Sequence, residues 1–358
     1  MNIEKTPRAS NGLPFTTGKS LKKTGILSEQ IQPPLSASKT DSSLFTKPFD
    51  WLESKSFSIG KPKMPRVSLL PTVIREVFSK RTLPREPEPD LVMDDEQQVK
   101  DYREAGSIDS VMSAAYLFHS ARVSQLLQNG RKSVLDLGCG PAVQLAQIAQ
   151  FNPGVQFHGI DLSREMLSQA EQQVGQLNLT NVRFSQGDIT DLSLVPTGSV
   201  DLVMSTMALH HLPSMAHLRA CFKEIKRVLK PDGAIYLTDF GRMKSLKSVI
   251  FFAYMNEKHH PHLHLFWLDY ERSLRAAFQF DDFKSLTREL LPSSANAYGT
   301  FLSPFLVVIQ TPPEPLPLDL SARLKQMRRN LPARYRADLD DMRLFLKLGG
   351  QPADPFSS

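Results

Sequence analysis

The sequence predicts an α/β protein built on a doubly wound, mostly parallel sheet with helices on both faces. Three observations carry that expectation. Between Ser133 and Phe240, short apolar runs alternate with helical stretches, the signature of successive strand–helix units. The stretch "SVLDLGCGPAVQL" runs from an apolar strand through two glycines into what reads as a helix start. Acids (Asp136, Asp161, Asp188) stand at the ends of the first three strands, where open α/β sheets collect their ligands.

Taken in order, the predicted strands cover 133–137, 156–160, 181–185, 200–205 and 234–240, and the helices between them cover 141–150, 163–176 and 215–229. Before them, "DEQQVKDYREAGSIDSVMSAAYLFHSARVSQLLQNG" carries apolar residues at helical spacing, and Asn129-Gly130 stops it. After Phe240, "SLKSVIFFAYMNEK" and a segment starting at Tyr270 read as helical. Two apolar segments, 283–291 and 305–311, are expected to pair as antiparallel edge strands. Beyond "PPEPLPLDL" a helical tail has Tyr335, Leu339 and Met342 at helical spacing. The expected division is a disordered basic segment at 1–65, a linker and leading helix at 66–104, a main domain at 105–312 and a helical C-terminal extension at 313–358. The main domain would divide into a core at 131–240 and a lid or substrate region at 241–304. The Ser-, Thr-, Lys- and Pro-rich start cannot build a packed core, and "LPREPEPDL" reads as an extended linker.

The chain has 358 residues, is 41% hydrophobic and carries a formal charge of +6. Much of the excess charge lies in the first segment, so the balance reads as solubility rather than a nucleic-acid footprint. Two cysteines, Cys139 and Cys221, exclude a disulfide framework and a cysteine-built zinc site and fit a reducing, cytoplasmic setting. The start of the chain lacks the apolar stretch of a secretory signal. No apolar run approaches the ~20 residues of a membrane span.

The glycine turn decides the ligand class. Gly138 and Gly140 let backbone approach a ligand with no Cβ between. A dinucleotide fingerprint wants a third glycine at position 143, where this chain has Val143. Asp136 stands directly before the turn, and an acid there suits a ligand bearing positive charge better than phosphates. Asp161, roughly twenty residues past Gly140, can accept from ribose hydroxyls, and Asp188 from an exocyclic amine. Each acid alone is a common turn residue; the ordered set is far more specific.

These residues resemble class I S-adenosylmethionine-dependent methyltransferases. "VLDLGCGPA" is similar to their first motif, "GIDLSREML" to the second and "GDITDL" to the third; "VDLVMSTMALHHLP" and "EIKRVLKPDGAIYLTDF" are similar to the fourth strand with its loop and the approach to the fifth. The resemblance covers roughly residues 105–240. It is nearest to the small-molecule, type 11-like subgroup that includes quinone-ring and sterol-type enzymes. It implies a Rossmann-like, seven-stranded sheet and S-adenosylmethionine as cofactor. Asp136, Gly138 and Gly140 would line its methionine half, Asp161 would hold the ribose, Leu162 and Met166 would flank the adenine, and Asp188 and Ile189 would reach its amine and ring. Ser205, closing the fourth strand, joins the set. Ala142 stands where many members carry another glycine.

For methyl transfer, His211 is the candidate general base, with Asp239 after the fifth strand a second catalytic candidate; the competing reading makes "LHHL" a framework feature and Asp239 a turn cap. Arg242 is a further candidate substrate contact. The segment "FFAYMNEKHHPHLHLFWLDY" places His259, His260, His262 and His264 among aromatics. Its proline-broken spacing fits neither a helical histidine pair nor a finger, so no metal is expected. It reads instead as a mobile lid with Phe251, Phe252, Tyr254 and Trp267 over an apolar acceptor, or as a surface helix packed on the sheet. Tyr102, Tyr116 and His119 are further pocket candidates by resemblance. The loop after the fourth strand lacks the Asn/Asp-Pro-Pro-aromatic run of base-methylating enzymes and the paired glutamates of arginine methyltransferases. Both absences favour a small, partly apolar acceptor and make nucleic acid an unfavoured partner. The rival readings are a non-catalytic cofactor- or partner-binding protein and an RNA methyltransferase. The C-terminal helices would carry a homodimer contact.

Overall fold

The computed structural model describes residues 67–89, 95–107 and 110–357; the expectations for the segment at 1–65 lie outside them. The five parallel strands are β1 (Ser133–Leu137), β2 (Gln156–Asp161), β3 (Val182–Gln186), β4 (Val200–Thr206) and β5 (Leu229–Phe240). Two more, β6 (Asn296–Gly299) and β7 (Leu306–Gln310), complete a seven-stranded sheet in the order β3-β2-β1-β4-β5-β7-β6. β7 runs antiparallel to both β5 and β6. Chain direction across the sheet reverses between β1 and β4, and that switch point opens the crevice in which such sheets bind ligands.

Side-chain alternation divides the interior in two, as a pleat of period two requires. Val134, Leu202, Met204, Ala234, Tyr236 and Val308 face one core; Leu135, Leu137, Val203, Ile235, Leu237 and Val307 face the other. Helix α6 (Met215–Val228) covers the second face with Leu218, Phe222 and Ile225, which recur at helical spacing. The first face is covered by α3 (Ser113–Leu126) and α4 (Val143–Phe151). α3 is buried all round, which its small and apolar residues permit.

Three expectations change. The leading helix is two, α2 (Glu96–Ala105) and α3, separated at Gly106, whose N–H closes α2 on the carbonyls of Tyr102 and Arg103. The segment 283–291 is not an edge strand: all but its last residue belongs to α9 (Phe280–Leu290). A capping box between Gln279 and Asp282 starts that helix, and Phe283, Leu286 and Thr287 form its buried stripe. The strand that pairs with β7 is β6. The C-terminal helices, α10 (Leu318–Asn330) and α11 (Ala333–Leu348), are part of the core rather than an appendage. Leu324, Tyr335, Leu339 and Leu346 join the same apolar cluster as α3 and β5. The apolar stripe that suggested a homodimer is therefore covered within one chain. No helix among the described residues is long and apolar enough to cross a membrane.

Candidate active site

Two cavities meet above the switch point. The smaller, about 40 Å³, is a cleft made by the β1 turn and the end of β4. Asp136 lies on its floor, 3% exposed, and its Oδ1 has no hydrogen-bond partner. Burial, with the charge of Asp161 nearby, pushes Asp136 up to about 8. A cationic group in the cleft would reverse that cost, because an opposite charge favours the carboxylate. Gly138 has φ +71°, and a Cβ there would overlap the Ala208 methyl. Gly140 has φ +52° and open space beyond its Cα, so a side chain would intrude where a ligand must sit. Asp161 braces the turn: its Oδ2 accepts from the Gly140 N–H at 2.8 Å and its Oδ1 from the Ser163 N–H at 3.0 Å. An orphaned buried acid beside a glycine cradle fits the ammonium and sulfonium of S-adenosylmethionine.

Ala142 shows what replaces the missing glycine. It adopts φ +56° at the start of α4, so the change costs backbone strain, about 1 kcal/mol, rather than space. Of the other expected cofactor residues, Met166 is buried on α5 (Arg164–Gln176) and Leu162 is exposed beside it. Asp188 is exposed, and its Oδ1 accepts from the N–H and hydroxyl of Thr190, as a turn cap does. Ile189 packs against the second core. Ser205 requires a correction: it is fully buried and donates to the Leu137 carbonyl at 2.8 Å. It bridges β4 to β1, and the cleft is lined by its neighbours Thr206 and Met207 instead.

The larger cavity, about 230 Å³, is walled mainly by aromatic and apolar side chains. Phe252 stacks on Phe305 with centroids 4.0 Å apart, and Phe240 touches both Phe305 and Tyr270. Helix α8 (His264–Ala276) contributes Phe266, Asp269, Tyr270 and Ser273 from one stripe. The two cavities share Tyr102, Met112, Ala115, His119 and Met207, so they open on each other. Met207 itself holds φ +55°, the kind of local strain that clusters at functional positions. His119, 1% exposed, binds Tyr236 Oη through Nδ1 at 2.7 Å, while its Nε2 has no partner. Burial pushes this imidazole down to about 3, so it is neutral.

The histidine pair after β4 is organised by carboxylates. Asp239, at the end of β5, accepts from the His210 N–H at 3.0 Å and binds His210 Nδ1 at 2.6 Å. Asp239 is 1% exposed and lines neither cavity; both of its oxygens contact His210. His211 Nδ1 lies 2.8 Å from Glu88 Oε2. The Ser273 hydroxyl donates to Glu88 Oε1 at 2.9 Å, and His210 Nε2 lies 3.8 Å from the same oxygen. Burial lowers His211, but the hydrogen bond and charge of Glu88 outweigh it, and the net displacement is upward. Glu88 moves the other way: burial raises it, and the two histidines pull it below the usual range. Among the described residues, Glu88, His210 and His211 form the one grouping whose potential metal-ligand atoms converge. Within it, Glu88 is held by His211 and by the Ser273 hydroxyl.

Glu88 was not legible as a site residue. The described part of the "LPREPEPDL" stretch, residues 83–89, has no helix or strand and is tied down. Arg85 donates to the carbonyls of His210, Leu212, Pro213 and Ala276, and the Glu86 N–H donates to Arg275. Nothing local marks an acid that meets its histidine more than 120 residues later. Of the proposed lid aromatics, Phe252 and Trp267 line the cavity. Phe251 packs edge-on against Phe252, and Tyr254 donates to Glu271. Arg242 is spent on the Ala277 carbonyl. In the histidine-rich segment, His260 pairs with Tyr335 and His262 with Glu104.

Part of the chain is similar to known proteins. Residues 128–266 match the family described as a methyltransferase domain. The chain is 43% identical over 102 residues to the trans-aconitate 2-methyltransferase of Deinococcus radiodurans, a match over 28% of this chain and 35% of that one. It is 33% identical over 116 residues to the ubiquinone biosynthesis O-methyltransferase of Haemophilus ducreyi, over 31% and 46% respectively. The matched stretches thus span between a third and a half of these relatives. A solved methyltransferase from Aquifex aeolicus, described as dependent on the same cofactor, aligns with a TM-score of 0.41 and 17% identity, over 60% of this chain and 97% of that one. Over residues 128–266 the chain is thus similar to a methyltransferase domain.

Proposed function

We propose that the protein transfers the methyl group of S-adenosylmethionine to a small, partly apolar organic acceptor bound in the larger cavity, and that His211 takes the acceptor's proton. One observation carries this reading: the cofactor cleft and the aromatic cavity share five lining residues. That arrangement suits an in-line transfer, in which donor and acceptor must be held end to end. When bound, the cofactor supplies an electrophilic methyl on a good leaving group. The protein's own contribution is positional and acid–base. Asp136 and the glycine turn would hold the donor, and Asp161 would accept from its ribose hydroxyls. The aromatic walls exclude water around the acceptor. His211 lines the cavity with Nδ1 committed to Glu88, which leaves Nε2 to receive a proton from a hydroxyl or amine. Glu88 fixes the ring's orientation and stabilises the imidazolium that results.

The His211–Glu88 dyad supports a catalytic over a non-catalytic reading. Relatives named for trans-aconitate and for ubiquinone biosynthesis support a small-molecule acceptor, and two free cysteines suit a cytoplasmic setting. Incubation of the full chain with labelled cofactor and a cell extract tests the proposal. A labelled small molecule is expected. Label on RNA would move the acceptor class, and tight cofactor binding without transfer would favour a binding protein.

A further inference from the structure

Carboxylates line the larger cavity. Its formally charged lining residues are Asp269, Asp338 and Asp341, with no lysine or arginine among the described lining residues. The imidazoles do not redress the balance: His119 is neutral, and His210 and His211 are each matched by a carboxylate. Arg85, which feels Asp239 and Glu88, is committed to four backbone carbonyls. A carboxylate or phosphate entering here would meet carboxylates and no lysine or arginine among the described lining residues.

Asp269 has the placement of a recognition group. It lies on the cavity-facing stripe of α8 between Phe266, Tyr270 and Ser273, 6% exposed. Its Oδ1 takes one hydrogen bond, from Gln98 Nε2 at 2.9 Å, and no basic side chain bonds to it. Burial, helped by the charge of Glu88 and opposed by His211, His210 and the Gln98 hydrogen bond, pushes it up to about 6. An acid kept in an aromatic chamber at that cost is stabilised by an incoming cation, and the surrounding ring faces favour a cation too. A second, independent observation points to a polar ligand in the same space: His119, almost fully buried, lines the cavity with an unpartnered Nε2.

We infer that the acceptor carries a basic nitrogen on an aromatic or apolar frame, and that Asp269 recognises its ammonium. The inference rests on the larger cavity being the acceptor site. Matched probes test it. Tyramine and 4-hydroxyphenylacetate share a ring and differ in the charge of the side chain; tryptamine and indole-3-acetate form a second pair. Each is titrated calorimetrically into the full chain saturated with S-adenosylhomocysteine. The amines are expected to bind at least about tenfold tighter than their carboxylate partners, an electrostatic selection against like charge. Asp269→Asn, which keeps an oxygen for Gln98, is expected to bring each pair within about threefold while leaving S-adenosylhomocysteine affinity unchanged. Carboxylates binding as well as amines, binding of none of the four, or a preference that survives the substitution would each overturn the inference. So would a substitution that alters only the preference for S-adenosylmethionine over S-adenosylhomocysteine, since Asp269 would then serve the donor. Failure of S-adenosylhomocysteine itself to bind would instead remove the proposed function beneath it.

Discussion

The cofactor cleft and the acceptor cavity touch, yet they are built on opposite plans. The cleft is made chiefly of backbone: a turn at Gly138 and Gly140, N–H groups braced by Asp161, and one orphaned carboxylate. The cavity is made of side chains from α2, α3, α8, α11, the loop after β4 and the turn before β7. A backbone site constrains a few consecutive residues tightly. A side-chain site constrains many distant residues loosely. The first is therefore rigid and chemically uniform, whereas the second can be rebuilt for a different acceptor without disturbing the first.

Substitutions on the two sides should separate the same way. The largest expected effect is on turnover. His211→Ala should lower kcat by about 10²–10⁴, the usual range for losing a general base, with S-adenosylhomocysteine affinity unchanged by calorimetry. A parallel loss of cofactor affinity would mean the two regions are not independent. Glu88→Gln should act on the same dyad through its pH profile. His211 must be neutral to accept a proton and is held above its ordinary 6.5, so kcat/KM should rise as pH climbs through that higher value. Removing the Glu88 charge should move the inflection down. An unmoved inflection would take Glu88 out of the reaction. The same pair bears on stability with opposite signs. The raised His211 stabilises the fold fully below about 6.5, and this is lost as pH rises through its folded value; the lowered Glu88 stabilises above about 4.5, and this is lost as pH falls through its own.

Phe252→Ala should act on the acceptor alone. It removes a ring stacked on Phe305 and should raise KM for the acceptor about tenfold, as expected when roughly 1.5–3 kcal/mol of apolar contact is lost in part. The smallest effect is expected at Ser205. Its hydroxyl bridges strands at 2.8 Å, so Ser205→Ala should cost about 1 kcal/mol in a denaturation midpoint and leave cofactor binding untouched. A change in cofactor affinity there would return Ser205 to the cleft.

The contrast also explains what the sequence disclosed. The β1 turn and its acids are local, and their meaning survives in one dimension. The parallel sheet followed from the alternation of short apolar runs with helical stretches. Segment 283–291 misled because a short apolar run does not distinguish strand from helix; the capping residues at Gln279 and Asp282 decide it. Helices α10 and α11 misled in a related way: an apolar stripe says that something covers it, not what. Glu88 and Asp269 lay beyond reach because their roles exist only once the chain returns from far away.

The central claim is that the strand-tip crease, with its bare glycines and its acids, binds a cationic nucleoside. Calorimetric titration of S-adenosylmethionine into the wild-type chain and into Asp161→Ala tests it most directly. One-to-one binding by the wild type is expected, weakened by about a hundredfold in the variant, as for the loss of two charge-assisted hydrogen bonds. Equal affinity in the two proteins, or no binding by either, would contradict it.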